Sequence, residues 1–150
     1  ILGNNWRIGE INSLLGISQL KNIEFFVNER NRIANIYTSH LEKNDKVSAI
    51  YVPPNIRHSY WKYPILFENR PDPDFRNKFM NKYSIPLAQI WNPPIHLQPF
   101  FRETFGYTEG DLPVSEDVLP REYCLPIYIG LEEDQINYII ESLFRETDLI

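Results

Sequence analysis

The placement of proline constrains this chain more than any other feature. All 12 prolines fall between Pro53 and Pro126, and the first 52 residues contain none. Proline removes a backbone donor and breaks helix interiors, so a proline-free stretch can be helical while a proline-dense one favours turns and short strands. Within 10–41 the apolar residues Ile11, Leu14, Leu15, Ile23, Phe26, Val27, Ile33, Tyr37 and Leu41 recur at helical spacing. The stripe shifts near Asn22, which predicts two helices or one kinked helix, with Arg30 and Arg32 in solvent and a stop by Asn44-Asp45.

Beyond Pro53 the pattern alternates. Strands are predicted over 47–52, 58–67, 85–91 and 124–129, and Pro64 inside the second points to an edge or a bulge. An Asp-capped helix over 74–83 is expected to bury Phe75, Phe79 and Met80. A Phe-rich helix spans 98–105, and a helix over 116–122 takes Ser115 as its cap. The last helix, over 131–145, turns Ile136, Ile139, Ile140, Leu143 and Phe144 inward. The fold class is therefore α+β, a short and mostly antiparallel sheet covered by helices, with 1–150 forming a single domain. At 150 residues such a domain buries roughly 68–70% of its unfolded surface.

Composition narrows the function. Fifteen basic against 20 acidic residues give a net charge of −5, with no basic cluster to meet nucleic acid or an anionic membrane. No apolar run approaches the ~18 residues of a spanning helix. The single cysteine, Cys124, excludes an intrachain disulfide and a cysteine-built zinc site, and its apolar setting favours an inert buried thiol. His40, His58 and His96 show no metal-ligand spacing, and no metal site is expected. The acidic pair Glu132-Glu133 reads as the first turn of a helix. No self-contained catalytic site is visible, and no catalytic residue is assigned. The chain opens at Ile1 without a methionine and is expected to be part of something longer.

Two segments stand out. Gly3-Asn4-Asn5-Trp6-Arg7 precedes the long helical stretch, where amide and guanidinium donors beside a positive helix end suit either a helix cap or a phosphate or carboxylate. In Trp91-Asn92-Pro93-Pro94-Ile95-His96-Leu97-Gln98-Pro99, prolines stiffen a loop that carries a stacking face on Trp91 and a titratable ring on His96. The same loop also reads as an aromatic-proline corner that only packs.

Both segments resemble one family. The stretch Gly3-Asn4-Asn5-Trp6-Arg7-Ile8-Gly9-Glu10-Ile11 is similar to the opening of the C-terminal domain of the DegT/DnrJ/EryC1/StrS family, PLP-dependent nucleotide-sugar aminotransferases of fold type I. Further resemblances follow in family order: His58-Ser59-Tyr60 with Tyr63, Pro94-Ile95-His96-Leu97-Gln98-Pro99, Gly110-Asp111-Leu112-Pro113-Val114-Ser115-Glu116, and Leu125-Pro126 followed by Gly130-Leu131. Asn4 departs from the family's aromatic, Gly9 from its polar helix-start residue, and Ile90-Trp91 from its His-Tyr pair.

The resemblance implies a set of roles. Asn5 would bind the phosphate of pyridoxal 5'-phosphate (PLP) across a homodimer interface. Arg7 would hold a substrate carboxylate or phosphate, and Trp91 and His96 would lie at the sugar-nucleotide end of the cleft. The parent would pass an amino group, usually from glutamate, to a nucleotide-linked keto-sugar in the cytoplasm. The lysine that carries PLP in this family belongs to a large domain upstream, and none of Lys21, Lys43, Lys46, Lys62, Lys78 or Lys82 matches it. The 150-residue chain is accordingly expected to be inactive alone and to hold no covalent PLP. A sugar dehydratase of the same family, and a binding domain that keeps the fold without the chemistry, are the alternative readings.

Overall fold

The computed structural model describes residues 6–147. The helical N-terminal stretch divides into α1 (Glu10–Lys21) and α2 (Ile23–Leu41), as the shifted stripe predicts. Asn22 makes the break: its backbone leaves the helical region at φ −105° and ψ 2°, and its side-chain amide donates to the Ser18 carbonyl at 3.2 Å. The two helices have different fates. α2 buries Ile33, Ala34, Tyr37 and Leu41, whereas α1 buries no residue. Arg32 is exposed as expected, but Arg30 is half-buried and its Nε has no hydrogen-bond partner.

After α2 the Asn44 side chain accepts from the backbone N–H of Lys46 and Val47 at 2.8 and 3.0 Å, turning the chain into β1 (Val47–Ala49). The sheet runs β1–β2–β3, wholly antiparallel, with β2 (Tyr63–Phe67) in the centre and β3 (Glu122–Leu125) on its other side. The strands differ from the sequence expectation: β1 stops at Ala49 rather than at 52, and β3 spans 122–125 rather than 124–129. Residues 58–62 bend because Tyr60 adopts φ 45°, a left-handed conformation stabilised where its N–H donates to His58 Nδ1 at 2.9 Å. The segment 85–91 contributes one bridge, Ala88 to Cys124, rather than a strand.

Pro64 lies in the central strand, not at an edge. Cys124, opposite it, exchanges both of its backbone hydrogen bonds with Ala88, so the Pro64–Cys124 pair is a non-hydrogen-bonded one. The proline nitrogen therefore faces the β1 side, where β1 has already stopped at Ala49 opposite Ile65. A central strand tolerates proline here because no ladder bond is lost.

Helices cover this sheet. α3 (Phe75–Tyr83) buries Phe75, Phe79 and Tyr83, one residue per turn, and leaves Met80 exposed, contrary to expectation. Asp74 stands at its N-cap position as expected, but its side chain accepts from the Asn77 side-chain amide at 2.6 Å rather than from a backbone N–H of the first turn, while Asp72 accepts from the Asp74 N–H at 2.7 Å. α4 (Pro99–Phe105) forms where the Phe-rich pattern places it. α5 (Pro113–Val118) begins three residues before the predicted start, with Pro113 in its first turn and Leu112 rather than Ser115 at the cap, and it passes into a 3-10 turn at Leu119–Arg121. That turn accommodates Pro120, which a continued α-helix would not.

α6 (Glu133–Thr147) closes the chain and buries Ile136, Ile139, Ile140 and Leu143, with Phe144 partly buried against them. The core joins α2, α3 and α6 to the sheet through an aromatic cluster. Phe67, Phe75 and Tyr123 meet edge to face with ring centroids 5.2–5.6 Å apart. Tyr37 donates its hydroxyl to the Pro126 carbonyl at 2.9 Å, and Tyr63 pairs with Thr38 at 2.8 Å. Burial raises both phenols, Tyr63 to about 12, so each remains neutral and acts as a fixed strut.

Candidate functional site

Side-chain hydrogen bonds tie down the loop before α4: the Gln98 amide donates to the Pro93 carbonyl at 3.0 Å, and the Asn92 amide donates to Gln89 at 3.1 Å. A 3-10 turn at Ile95–Leu97 then carries His96 inward, where 5% of it remains exposed. Its Nε2 lies 2.9 Å from Glu116 Oε1, and its ring meets that of Tyr107 edge-on with centroids 6.0 Å apart.

Glu116 is the centre of this arrangement. Its carboxylate also accepts from the backbone N–H of Gly110, at 3.0 and 2.8 Å to the two oxygens, and from the N–H of Leu112 at 3.1 Å. One side chain on α5 thereby fixes the 106–112 loop and the His96 turn together. The Gly110 bond foremost, then His96, holds the carboxyl below the usual range. Gly110 adopts φ 94°, a conformation glycine reaches without strain, which lets its N–H face the carboxylate.

These supports frame an apolar cleft of about 290 Å³ lined by Trp91, Ile95, His96, Phe101, Tyr107 and Leu112. Trp91 and His96, singled out from the sequence, are thus brought to one cleft. Trp91 is 53% exposed at its rim, and His96 forms part of its wall with Nε2 already engaged. Sequence reasoning missed Glu116 and Tyr107. The first ends the Gly110–Glu116 motif without a role assigned to it, and its partners lie 4, 6 and 20 residues away. Phe100 and Phe105 of α4 stand beside the cleft, both more than half exposed.

The other expected location is the segment preceding α1. Asn5 lies outside the described residues. Arg7 is exposed, three residues ahead of the first turn of α1. A larger apolar cleft, about 470 Å³, lies between Tyr83, Ile85, Pro126, Tyr128, Asp134 and Tyr138 and contains none of the expected site residues.

Cys124 is buried, and burial first, then the bond to Glu122, pushes its thiol up to about 12. It is a neutral packing residue rather than a nucleophile. Among the described residues no group of three His, Cys, Asp or Glu side chains could hold a metal ion, and no helix is long and apolar enough to cross a membrane.

The lysines do not fit a covalent PLP site, which needs a sheltered and readily neutralised amine. Lys78 and Lys82 are exposed, and the hydrogen bonds they donate to Asp72 and Glu146 raise their pKa, favouring the charged form. Lys62 lies over the exposed Trp61 ring at 5.1 Å, Lys21 and Lys43 are exposed, and Lys46 is half-buried at the start of β1.

The fold, a three-stranded antiparallel sheet clasped by helices with a rigid aromatic cleft at one side, has clear counterparts among sugar aminotransferases. It superposes on Helicobacter pylori PseC, an aminotransferase involved in pseudaminic acid biosynthesis, with a TM-score of 0.86 at 24% identity, covering 100% of this chain and 40% of that one. The model of the DegT/DnrJ/EryC1/StrS aminotransferase family matches residues 1–144, and the chain belongs to that family. In sequence it is 31% identical to uncharacterised protein MJ1066 of Methanocaldococcus jannaschii over 144 residues, 94% of this chain and 37% of that protein. It is 27% identical to the dTDP-4-amino-4,6-dideoxy-D-glucose transaminase of Escherichia coli over 143 residues, 94% of this chain and 38% of the transaminase. The chain therefore spans under two-fifths of the length of these two relatives.

Proposed function

We propose that residues 1–150 are one domain, the C-terminal small domain of a PLP-dependent aminotransferase that acts on a nucleotide-linked keto-sugar. The observation that carries this reading is the family match across residues 1–144. The length of the relatives supports the domain assignment, since each is far longer than the stretch it shares with this chain. In this reading the parent is a homodimer in the cytoplasm that takes its amino group from glutamate.

Asn5 donates its side-chain amide to the PLP phosphate of the partner subunit, a charge-assisted bond. Arg7 offers two parallel N–H donors to a carboxylate or phosphate of the substrate. Trp91 presents its ring face to the sugar-nucleotide, and His96 contributes the wall against which it rests, held by Glu116. PLP, when bound, supplies an electron sink for amino-group transfer. The residues of this domain orient the ligands and exclude water from one side of them.

The test is amino transfer by the complete parent protein, supplied with PLP, glutamate and a panel of nucleotide-linked 4-keto-sugars. Conversion of glutamate to 2-oxoglutarate with formation of an amino-sugar supports the reading. Loss of the sugar hydroxyl without amino transfer would instead make the parent a dehydratase, and absence of any turnover with PLP bound would overturn the assignment.

A further inference from the structure

His96 is 5% exposed, yet only one of its two ring nitrogens has a partner. Neutral imidazole carries one N–H donor and one acceptor nitrogen, and the partner of one nitrogen fixes the role of the other. Nε2 lies 2.9 Å from Glu116 Oε1. That carboxylate also accepts from the backbone N–H of Gly110 and Leu112, and these bonds keep it ionised at neutral pH. An ionised carboxylate can only accept, so the proton of the neutral ring sits on Nε2 and Nδ1 becomes the acceptor. Nδ1 makes no hydrogen bond among the described residues, and it is not one of the buried side-chain atoms left without a partner. The small part of the ring that stays exposed therefore includes Nδ1, and His96 meets the surface in the cleft that it shares with Trp91.

The other polar groups lining this cleft are less selective. Trp91 Nε1–H only donates, and the hydroxyls of Tyr107 and Ser115 turn to donate or accept. Nδ1 is the group whose role is fixed as an acceptor. Around it Trp91, Phe101 and Tyr107 supply aromatic surface, which suits a flat ring better than a hydroxylated sugar. We propose that this cleft is the subsite for the base of the nucleotide-linked sugar, with His96 Nδ1 accepting from a ring N–H of that base. Uracil, thymine and guanine carry such an N–H, whereas cytosine and adenine carry none. Glu116 is then a positioning residue, because it decides which nitrogen of His96 faces the ligand. The inference rests on the nucleotide-sugar reading above and adds to it the part of the ligand held here and the residue that selects it. A buried acceptor discriminates strongly, since a ligand without the donor leaves it unpaired.

Calorimetric titration of the complete parent protein with UDP, dTDP, GDP, CDP and ADP tests it, at about pH 8, where histidine is ordinarily neutral. The wild type should bind at least one of UDP, dTDP and GDP about tenfold or more tightly than CDP and ADP. Methylating the ring nitrogen of that preferred base removes the donor and should cost about tenfold as well. This arm uses the wild-type protein and does not depend on how a variant folds. His96→Gln keeps an amide donor where Nε2 stood, so it should hold Glu116 and the wild-type melting temperature while losing the Nδ1 acceptor. Its affinity for the preferred nucleotide should fall about tenfold, with CDP and ADP bound as weakly as before. Unchanged affinity of His96→Gln for the preferred nucleotide, or full affinity of the wild type for the methylated one, would overturn the inference and leave the nucleotide-sugar reading intact. Weaker binding of the intact nucleotide-sugar alone, with the free nucleotides unaffected, would move the contact to a sugar hydroxyl and overturn the base assignment. A wild type that binds none of the five would overturn the inference together with the reading on which it rests.

Discussion

At the scale of single residues, Glu116 is the side chain with the most to lose. It joins the 106–112 loop to the His96 turn through backbone and imidazole donors, and those bonds lower its pKa in the folded chain. A carboxyl depressed by folding stabilises the native state above its unfolded pKa, and that contribution fades as pH falls through the folded value. Glu116→Gln should therefore lower the melting temperature at neutral pH, with the difference from wild type shrinking once the pH is below about 4. A pH-independent difference would contradict the charge-assisted role. Lysine chemistry gives a second expectation. Incubation with PLP, borohydride reduction and mass mapping should yield no stoichiometric, site-specific pyridoxyl-lysine coupled to turnover, since no described lysine is buried and Lys78 and Lys82 are held charged by carboxylates. One such lysine would refute it.

At the scale of elements, α1 and α6 make opposite predictions although both carry apolar residues at helical spacing. Leu143 of α6 is fully buried, so Leu143→Ala should cost about 2–5 kcal/mol in chemical denaturation. Leu14 of α1 is exposed, and Leu14→Ala in dilute protein should change stability by no more than about 0.5 kcal/mol. Equal effects would mean that α1 packs into the same core. Periodicity located both helices, because amphipathic spacing is a local property. It could not tell that α1 points away from the core, since spacing states that a face is to be covered and not by what. The strands were over-extended for a related reason. β-branched and aromatic residues mark 47–52 and 58–67 correctly as pleat-compatible, but the positive φ of Tyr60 and the short reach of β1 follow from tertiary placement. Pro64 is the sharpest case. The rule against proline in central strands yields once the hydrogen-bonding phase of the ladder is known, and a single sequence does not carry that phase.

At the scale of the whole molecule, the α+β class and the family were legible because five short motifs keep their order along the chain, and the fold agrees with both. The cleft was half legible. Trp91 and His96 could be named from a proline-stiffened loop, whereas Glu116 and Tyr107 join them only through contacts between separate loops. The chain supplies a rigid aromatic wall and, ahead of α1, the donors proposed for the cofactor phosphate. The central claim is that Asn5 contacts that phosphate in the dimeric parent. The measurement that tests it most directly is PLP affinity, with melting temperature, for Asn5→Ala and Asn5→Ser in the complete protein. Loss of one hydrogen bond to a charged group costs roughly 1.5–3 kcal/mol, so PLP should bind about one to two decades more weakly in both variants. Because α1 takes Gly9 and not Asn5 at its cap, both variants should keep the wild-type melting temperature of the apoprotein. PLP affinity unchanged in both variants would contradict the account.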